Sequence, residues 1–338
     1  MELPKTNFFP PFNITRASHL VLTARDLATS RDFYTEVIGL IVTDETPDTL
    51  WLRGIEERCH HSLTIKRTNG QPMCERVGFR VFMDEDLDKA AAHFDKIGLK
   101  SKFVNVPRQG RTLHFNDPAG TPVELCATMP VVPRMHTKKH MHRGAAALRM
   151  DHYQVLVPDV MANAKFYMDL GFRISDYIVV ESAGKVVGTF LHRKDNPWDI
   201  VFLQRSGPRF HHGGYVVESF NDIVRACDIA GNLGFKDRLE HGPGRHGHQH
   251  SYYAYVRDPD GHRTELLLPG IQIIDLEEPV ACPVVPGVNS NLWGLPAPKS
   301  WVEEATTFAN VKIIQGVDGT PMTAERYLSE KKPEAVMG

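Results

Sequence analysis

The chain repeats itself, and that limits its fold more than any other feature. "HLVLTARDLATSRDFYTEVIGL", opening at His19, is matched by "HYQVLVPDVMANAKFYMDLGF", opening at His152. In each, a histidine begins a short apolar strand and an aspartate follows seven residues on (Asp26, Asp159). A Phe-Tyr pair follows at fourteen and fifteen (Phe33-Tyr34, Phe166-Tyr167). Apolar residues at helical spacing then lead to a glycine, so the unit reads strand, helix, glycine cap, strand. A second pair also matches: "VGFRVFMDEDLDKAAAHFDKIGL" with "HGGYVVESFNDIVRACDIAGNLGF", which sets Val77 against His212. Both continue to a DPxG turn with a glutamate seven residues beyond its first aspartate (Glu124, Glu265), on a strand that alternates in and out.

Such repetition fixes architecture before any motif is read. With 338 residues there is chain enough for two cores. The expected fold is α+β: four βαβ-type modules, two per half. The first half spans 13–130, a basic linker 131–147, the second half 148–270 and a proline-rich tail 271–338. His136, His140 and His142 read as solvated linker residues. In the tail, Ser300 and Glu303 predict a capping box for a short helix, and the last residues are expected to lack order.

Bulk properties exclude several classes. A net charge of −2 gives no electrostatic reason for nucleic acid or an anionic membrane as partner. No apolar run is long enough to span a bilayer, and the N-terminus lacks the pattern of an export signal. The five cysteines (Cys59, Cys74, Cys126, Cys227, Cys282) are scattered without a CxxC, as reduced thiols of a cytoplasmic protein would be.

The repeat also tests for a metal site. The second half offers His152, His212 and Glu265; the first offers His19, Val77 and Glu124. Only the second has two imidazoles and a carboxylate, the set that holds a mononuclear non-heme Fe(II) on one face and leaves open positions. Spacings of 60 and 53 residues draw the three from separate strands. Taken singly, a histidine opening a strand is more often a hydrogen-bonded core residue, and a strand glutamate usually faces solvent. The conjunction favours a metal.

These residues, with "LWLRGIEERCHHSLTI", "GPRFHH", "GPGRHG" and "YVRDPDGHRTEL", resemble the type I extradiol ring-cleaving dioxygenases of the vicinal oxygen chelate superfamily, nearest the homoprotocatechuate 2,3- and catechol 2,3-dioxygenases. The resemblance covers residues 13 to 310. It implies βαβββ modules paired into two open barrels, the glyoxalase–bleomycin-resistance–dioxygenase fold, with metal only in the C-terminal one. It implies Fe(II), with Mn(II) as the other option, on His152, His212 and Glu265, and a neighbour, His211, turned to the other face. It places active-site roles on His246 and Tyr255, with an aromatic diol and O2 as reactants and a homo-oligomer, dimer or tetramer, as the working form.

Three positions depart from that family. Where relatives carry a proton-handling histidine stands Trp198, followed by Asp199; His248 is the candidate substitute, against the alternative of a solvated loop histidine. An arginine before GPGRHG is replaced by His241, and "VNSNLWG" has none, which argues against a carboxylate-bearing substrate. The usual asparagine after the first ligand is Gln154. Phe190, Trp198 and Trp293 are expected to line the pocket. The leading expectation is extradiol (meta) cleavage of a catechol to a muconic semialdehyde. Hydroquinone cleavage by the same fold and a non-catalytic aromatic-binding module are the alternatives.

Overall fold

A computed structural model describes residues 3–180, 184–276, 278, 283–284 and 290–316. Two mixed sheets of eight and eleven strands are built on the same plan. In the first, the order from edge to edge is Ile41–Thr46, Thr49–Arg53, Leu63–Arg67, Ile14–Ala24, Cys74–Val81, Pro122–Cys126, Arg111–Asn116, Ser101–Asn105. In the second it is Arg173–Val180, Lys185–His192, Ile200–Gln204, Arg149–Val157, Arg209–Val216, Arg263–Leu267, Tyr252–Arg257, Leu239–His246. The tail adds Pro283–Val284 at one edge, Asn291–Trp293 at the other, and Thr306–Thr307 against the start of Arg209–Val216. Both sheets are open cups, and neither closes into a barrel.

Each module's helix starts where a carboxylate can satisfy free backbone N–H groups. Asp26 accepts from the N–H groups of Ala28 and Thr29, and Asp159 from that of Ala162. Helices Asp84–Lys96 and Phe220–Asn232 use Asp86 and Asp222 instead, which accept from the N–H groups of Met83 and Ser219. Gly39 and Gly171, at φ +79° and +89°, turn the chain back toward the next strand in a conformation that a side chain would disfavour.

These caps correct one equivalence between the halves. Gly78 pairs with both His19 and Glu124, and Gly214 with both His152 and Glu265. The residue matching His212 is therefore Arg76, not Val77. In both halves the capping aspartate lies ten residues further on (Asp86, Asp222). Each ladder skips one residue, Glu75 or His211, at the same place, so the two strands stay in step.

One apolar core runs through both halves. Polar bonds join them as well: Ala17 N donates to Asp199 Oδ1 at 2.6 Å, and His262 Nε2 to the Thr23 carbonyl at 2.9 Å. The tail helix is Lys299–Glu303, preceded by Pro298. Proline's fixed φ suits a helix start, so Ser300 falls inside the helix and the expected Ser300–Glu303 capping box does not form. The expectation for the last residues, 317–338, lies outside the described residues. Cys59, Cys74, Cys126 and Cys227 are free thiols; Cys282 is outside the described residues. Among the described residues no helix is long and apolar enough to cross a membrane.

Candidate metal centre

The floor of the C-terminal cup is set by three neighbouring strands. His152 comes from Arg149–Val157, His212 from Arg209–Val216 and Glu265 from Arg263–Leu267. His152 Nε2 lies 3.2 Å from His212 Nε2 and 3.1 Å from Glu265 Oε2, and His212 Nε2 lies 3.2 Å from that oxygen. Ligands about 2.1 Å from one ion and at right angles stand about 3 Å apart, so this triangle has the dimensions of one face of an octahedron. It is the one His/Cys/Asp/Glu group of suitable geometry among the described residues, and all three members are buried.

Tautomers make the triangle a lone-pair trap. His152 Nδ1 donates to Asp151 Oδ2 at 3.0 Å, which leaves its Nε2 unprotonated toward the centre when the ring is neutral. Asn196 Nδ2 holds the other Asp151 oxygen at 2.5 Å. His211 Nε2 donates to the Trp301 carbonyl at 2.7 Å, so its Nδ1 can accept from His212 Nδ1, also at 2.7 Å. His211 is therefore not a bystander on the far face; it orients its neighbour. Burial alone would lower the His152 pKa, but Asp151 and Glu265 outweigh it and push it up to about 9. His212, where burial prevails, falls to about 4. Burial would raise Glu265, yet the close imidazoles of His152, His212 and His246 hold it well below the ordinary carboxylate range. The triad draws positive charge to its centre, and its donor set of two imidazoles and a carboxylate fits a divalent ion.

Above it is a cavity of about 170 Å³. His246 Nε2 lies 3.4 Å from Glu265 Oε1 and 3.3 Å from the Tyr255 hydroxyl, and its ring stacks on Tyr253 at 4.0 Å. Burial first, then the Glu265 charge, raises Tyr255 well above a free phenol, so it stays a donor. His241 stacks on Tyr255 at 5.6 Å, and burial lowers it to about 4. Gln154 and Phe190 also line the cavity, as does Trp198, which meets the His152 ring edge-on at 5.2 Å.

His248 lines the cavity too, between Phe190 at 4.9 Å and Trp198 at 5.6 Å. It is buried because Gln249 and His250 both take positive φ (50° and 57°) and reverse the chain. The Gln249 amide anchors that turn by donating to Asp176 at 3.0 and 3.1 Å. Burial keeps the His248 imidazole well below its usual pKa, hence neutral.

Trp293 is placed differently from expectation. It is 47% exposed and packs on Phe220 and Tyr252, outside the cavity, because the edge strand Asn291–Trp293 turns that side chain outward. Trp301, from the tail helix, lines the cavity instead. Ile178, Val201, Leu203 and Arg205 are further lining residues that the sequence motifs did not mark; inward alternation of their strands was the available signal.

Comparison with known proteins agrees with this geometry. The family model described as Glyoxalase/Bleomycin resistance protein/Dioxygenase superfamily matches residues 16–125 and 149–266. A manganese-dependent 2,3-dihydroxybiphenyl 1,2-dioxygenase of Geobacillus genomosp. 3 is 28% identical over 284 residues, covering 79% of this chain and 89% of its own. A metapyrocatechase of Geobacillus stearothermophilus is 25% identical over 328 residues, covering 90% and 98%. Among solved structures, an anaerobic complex of homoprotocatechuate 2,3-dioxygenase from Brevibacterium fuscum with 3,4-dihydroxyphenylacetate has a TM-score of 0.86 at 32% identity, covering 93% of this chain and 100% of that one.

Proposed function

The chain belongs to the Glyoxalase/Bleomycin resistance protein/Dioxygenase superfamily, and from that premise we propose that it is an extradiol ring-cleaving dioxygenase acting on a catechol. The observation that carries the reading is the convergence of His152, His212 and Glu265 at the floor of an aromatic-lined cavity. We propose Fe(II) as the resident ion, with Mn(II) accepted by the same imidazole and oxygen donors. A divalent ion held there by His152, His212 and Glu265 would lower the pKa of a diol hydroxyl bound to it and help to hold the reactants in contact.

The chain's own groups do the rest. Tyr255, kept protonated, donates to an oxyanion developing on the ring. His246, fixed by its stack on Tyr253, bonds to the incoming oxygen or the substrate. His248 is neutral and can accept a proton that in relatives passes to a histidine at the Trp198 position. Phe190, Trp198, Val201 and Ile178 clasp a flat ring and exclude water.

We further propose a catechol with a neutral or apolar substituent. His241, buried and neutral, offers no fork of donors for a carboxylate. The test is anaerobic loading with Fe(II) or Mn(II), addition of catechol, alkylcatechols, 3,4-dihydroxyphenylacetate and hydroquinone, and admission of air. A yellow ring-opened product from the neutral catechols supports the proposal. Product from hydroquinone alone transfers it to para-diol cleavage, and product from none overturns it.

A further inference from the structure

The N-terminal cup copies the C-terminal one position by position. His19 pairs with Gly78 as His152 pairs with Gly214, and each glycine pairs in turn with its glutamate, Glu124 or Glu265. His114 faces Glu124 as Tyr255 faces Glu265. His61 meets the His19 ring edge-on at 5.6 Å, much as Trp198 meets His152 at 5.2 Å. Arg76 pairs with Val21 as His212 pairs with Gln154. The first cup therefore keeps one imidazole and the carboxylate of a metal triad and has a guanidinium where the second imidazole belongs.

The neighbours show what that guanidinium does. Glu124 is 2% exposed, with His19 Nε2 at 2.5 Å from one oxygen and His114 Nε2 at 2.9 Å from the other. Arg76 has no ion pair within 4.0 Å among the described residues, and its Nη1 is buried without a hydrogen-bond partner. Burial disfavours its charge, and Glu124 is the group that most offsets this, ahead of Glu75 and Cys74. Arginine has five donors, no lone pair to give, and a charge it does not lose.

We propose that the N-terminal cup is a divalent-metal site closed by one residue. Arg76 stands where the second imidazole ligand would, offers a charge and no lone pair, and so keeps a divalent ion out, while His19 and Glu124 remain side by side as the ligand types that Arg76→His would complete. The inference rests on the C-terminal triad as the pattern for a metal site, so the experiment separates the two cups.

Wild type, Arg76→His, Glu265→Ala and the double variant are loaded anaerobically with Mn(II), desalted, and assayed for bound manganese by elemental analysis and electron paramagnetic resonance. The expected contents are about one, two, none and one ion per chain, following the triad rule. A double variant that is folded by circular dichroism and binds no manganese overturns the proposal, whatever the wild type does. A wild type that binds none counts against the C-terminal triad alone. Should Arg76→His fail to fold, Arg76→Asp, which also supplies a ligand at that position, is loaded and assayed in the same way in the Glu265→Ala background. About one manganese per chain supports the proposal, and a folded protein that binds none overturns it.

Discussion

Gly214 lies against the imidazole of His152, so that a Cβ on it would stand 2.5 Å from His152 Cε1. The ladder sets this pair side by side, and the ring occupies the space that a side chain would need. Gly214→Ala should therefore push His152 off the triad. Overpacking costs about 1–3 kcal/mol, and here the strain falls on a ligand. Metal content after desalting should drop to a small fraction of wild type. Gly78→Ala, which crowds His19 in the other cup, should lower stability by a similar amount and leave metal content intact.

The His211–His212 bond predicts a loss at one remove. His211→Phe keeps much of the bulk against Trp301 but leaves His212 Nδ1 without its acceptor. Partners of this kind usually contribute about 10–100-fold to metal affinity. Competition with a chromophoric chelator should show that weakening. Unchanged affinity would mean that packing alone orients His212.

His248 and His250 separate burial from sequence proximity. Both belong to the same turn, but His248 lines the cavity and His250 is exposed. If His248 handles the proton, His248→Asn should lower kcat by about 10²–10⁴ with metal content unchanged. His250→Asn should change kcat little. Equal, small effects would remove His248 from the mechanism.

Glu240 makes stability depend on acid. Its carboxylate accepts from Arg263 Nε at 2.6 Å and Arg257 Nη2 at 2.7 Å. Burial would raise its pKa, but these two arginines outweigh that and hold it at about 2. A carboxylate lower in the folded state than in the unfolded chain, where it titrates near 4.3, stabilises the fold above that value. The contribution is lost as pH falls from there toward 2. Glu240→Gln strands Arg263, which is 1% exposed, and should cost about 3–5 kcal/mol at pH 7 in urea unfolding. The gap between the two proteins should narrow steadily below pH 4.

Bound metal should stabilise the fold. An ion at 100 times its Kd adds about 2.7 kcal/mol to a protein that binds it only when folded. Chelation should lower Tm reversibly in wild type. It should leave Glu265→Ala, which lacks a ligand, unaffected.

Sequence alone determined the repeat, the α+β modules, and which histidines and glutamate could meet. Strand and helix periods are local, and the two halves carry them in the same order, so His152, His212 and Glu265 could be read as neighbours without coordinates. Tertiary structure decided what depends on a single-residue shift or on a distant segment. The strand ladders set Arg76, rather than Val77, in the place of His212, and the bulge at His211 turned it onto its neighbour. Trp301 rather than Trp293 reached the cavity because the tail folds back over the cup, and two left-handed residues buried His248 where composition reads as open loop. The physical reason is one of range. Hydrogen-bond ladders and long-range packing choose among alternatives that local propensity leaves nearly equal in energy.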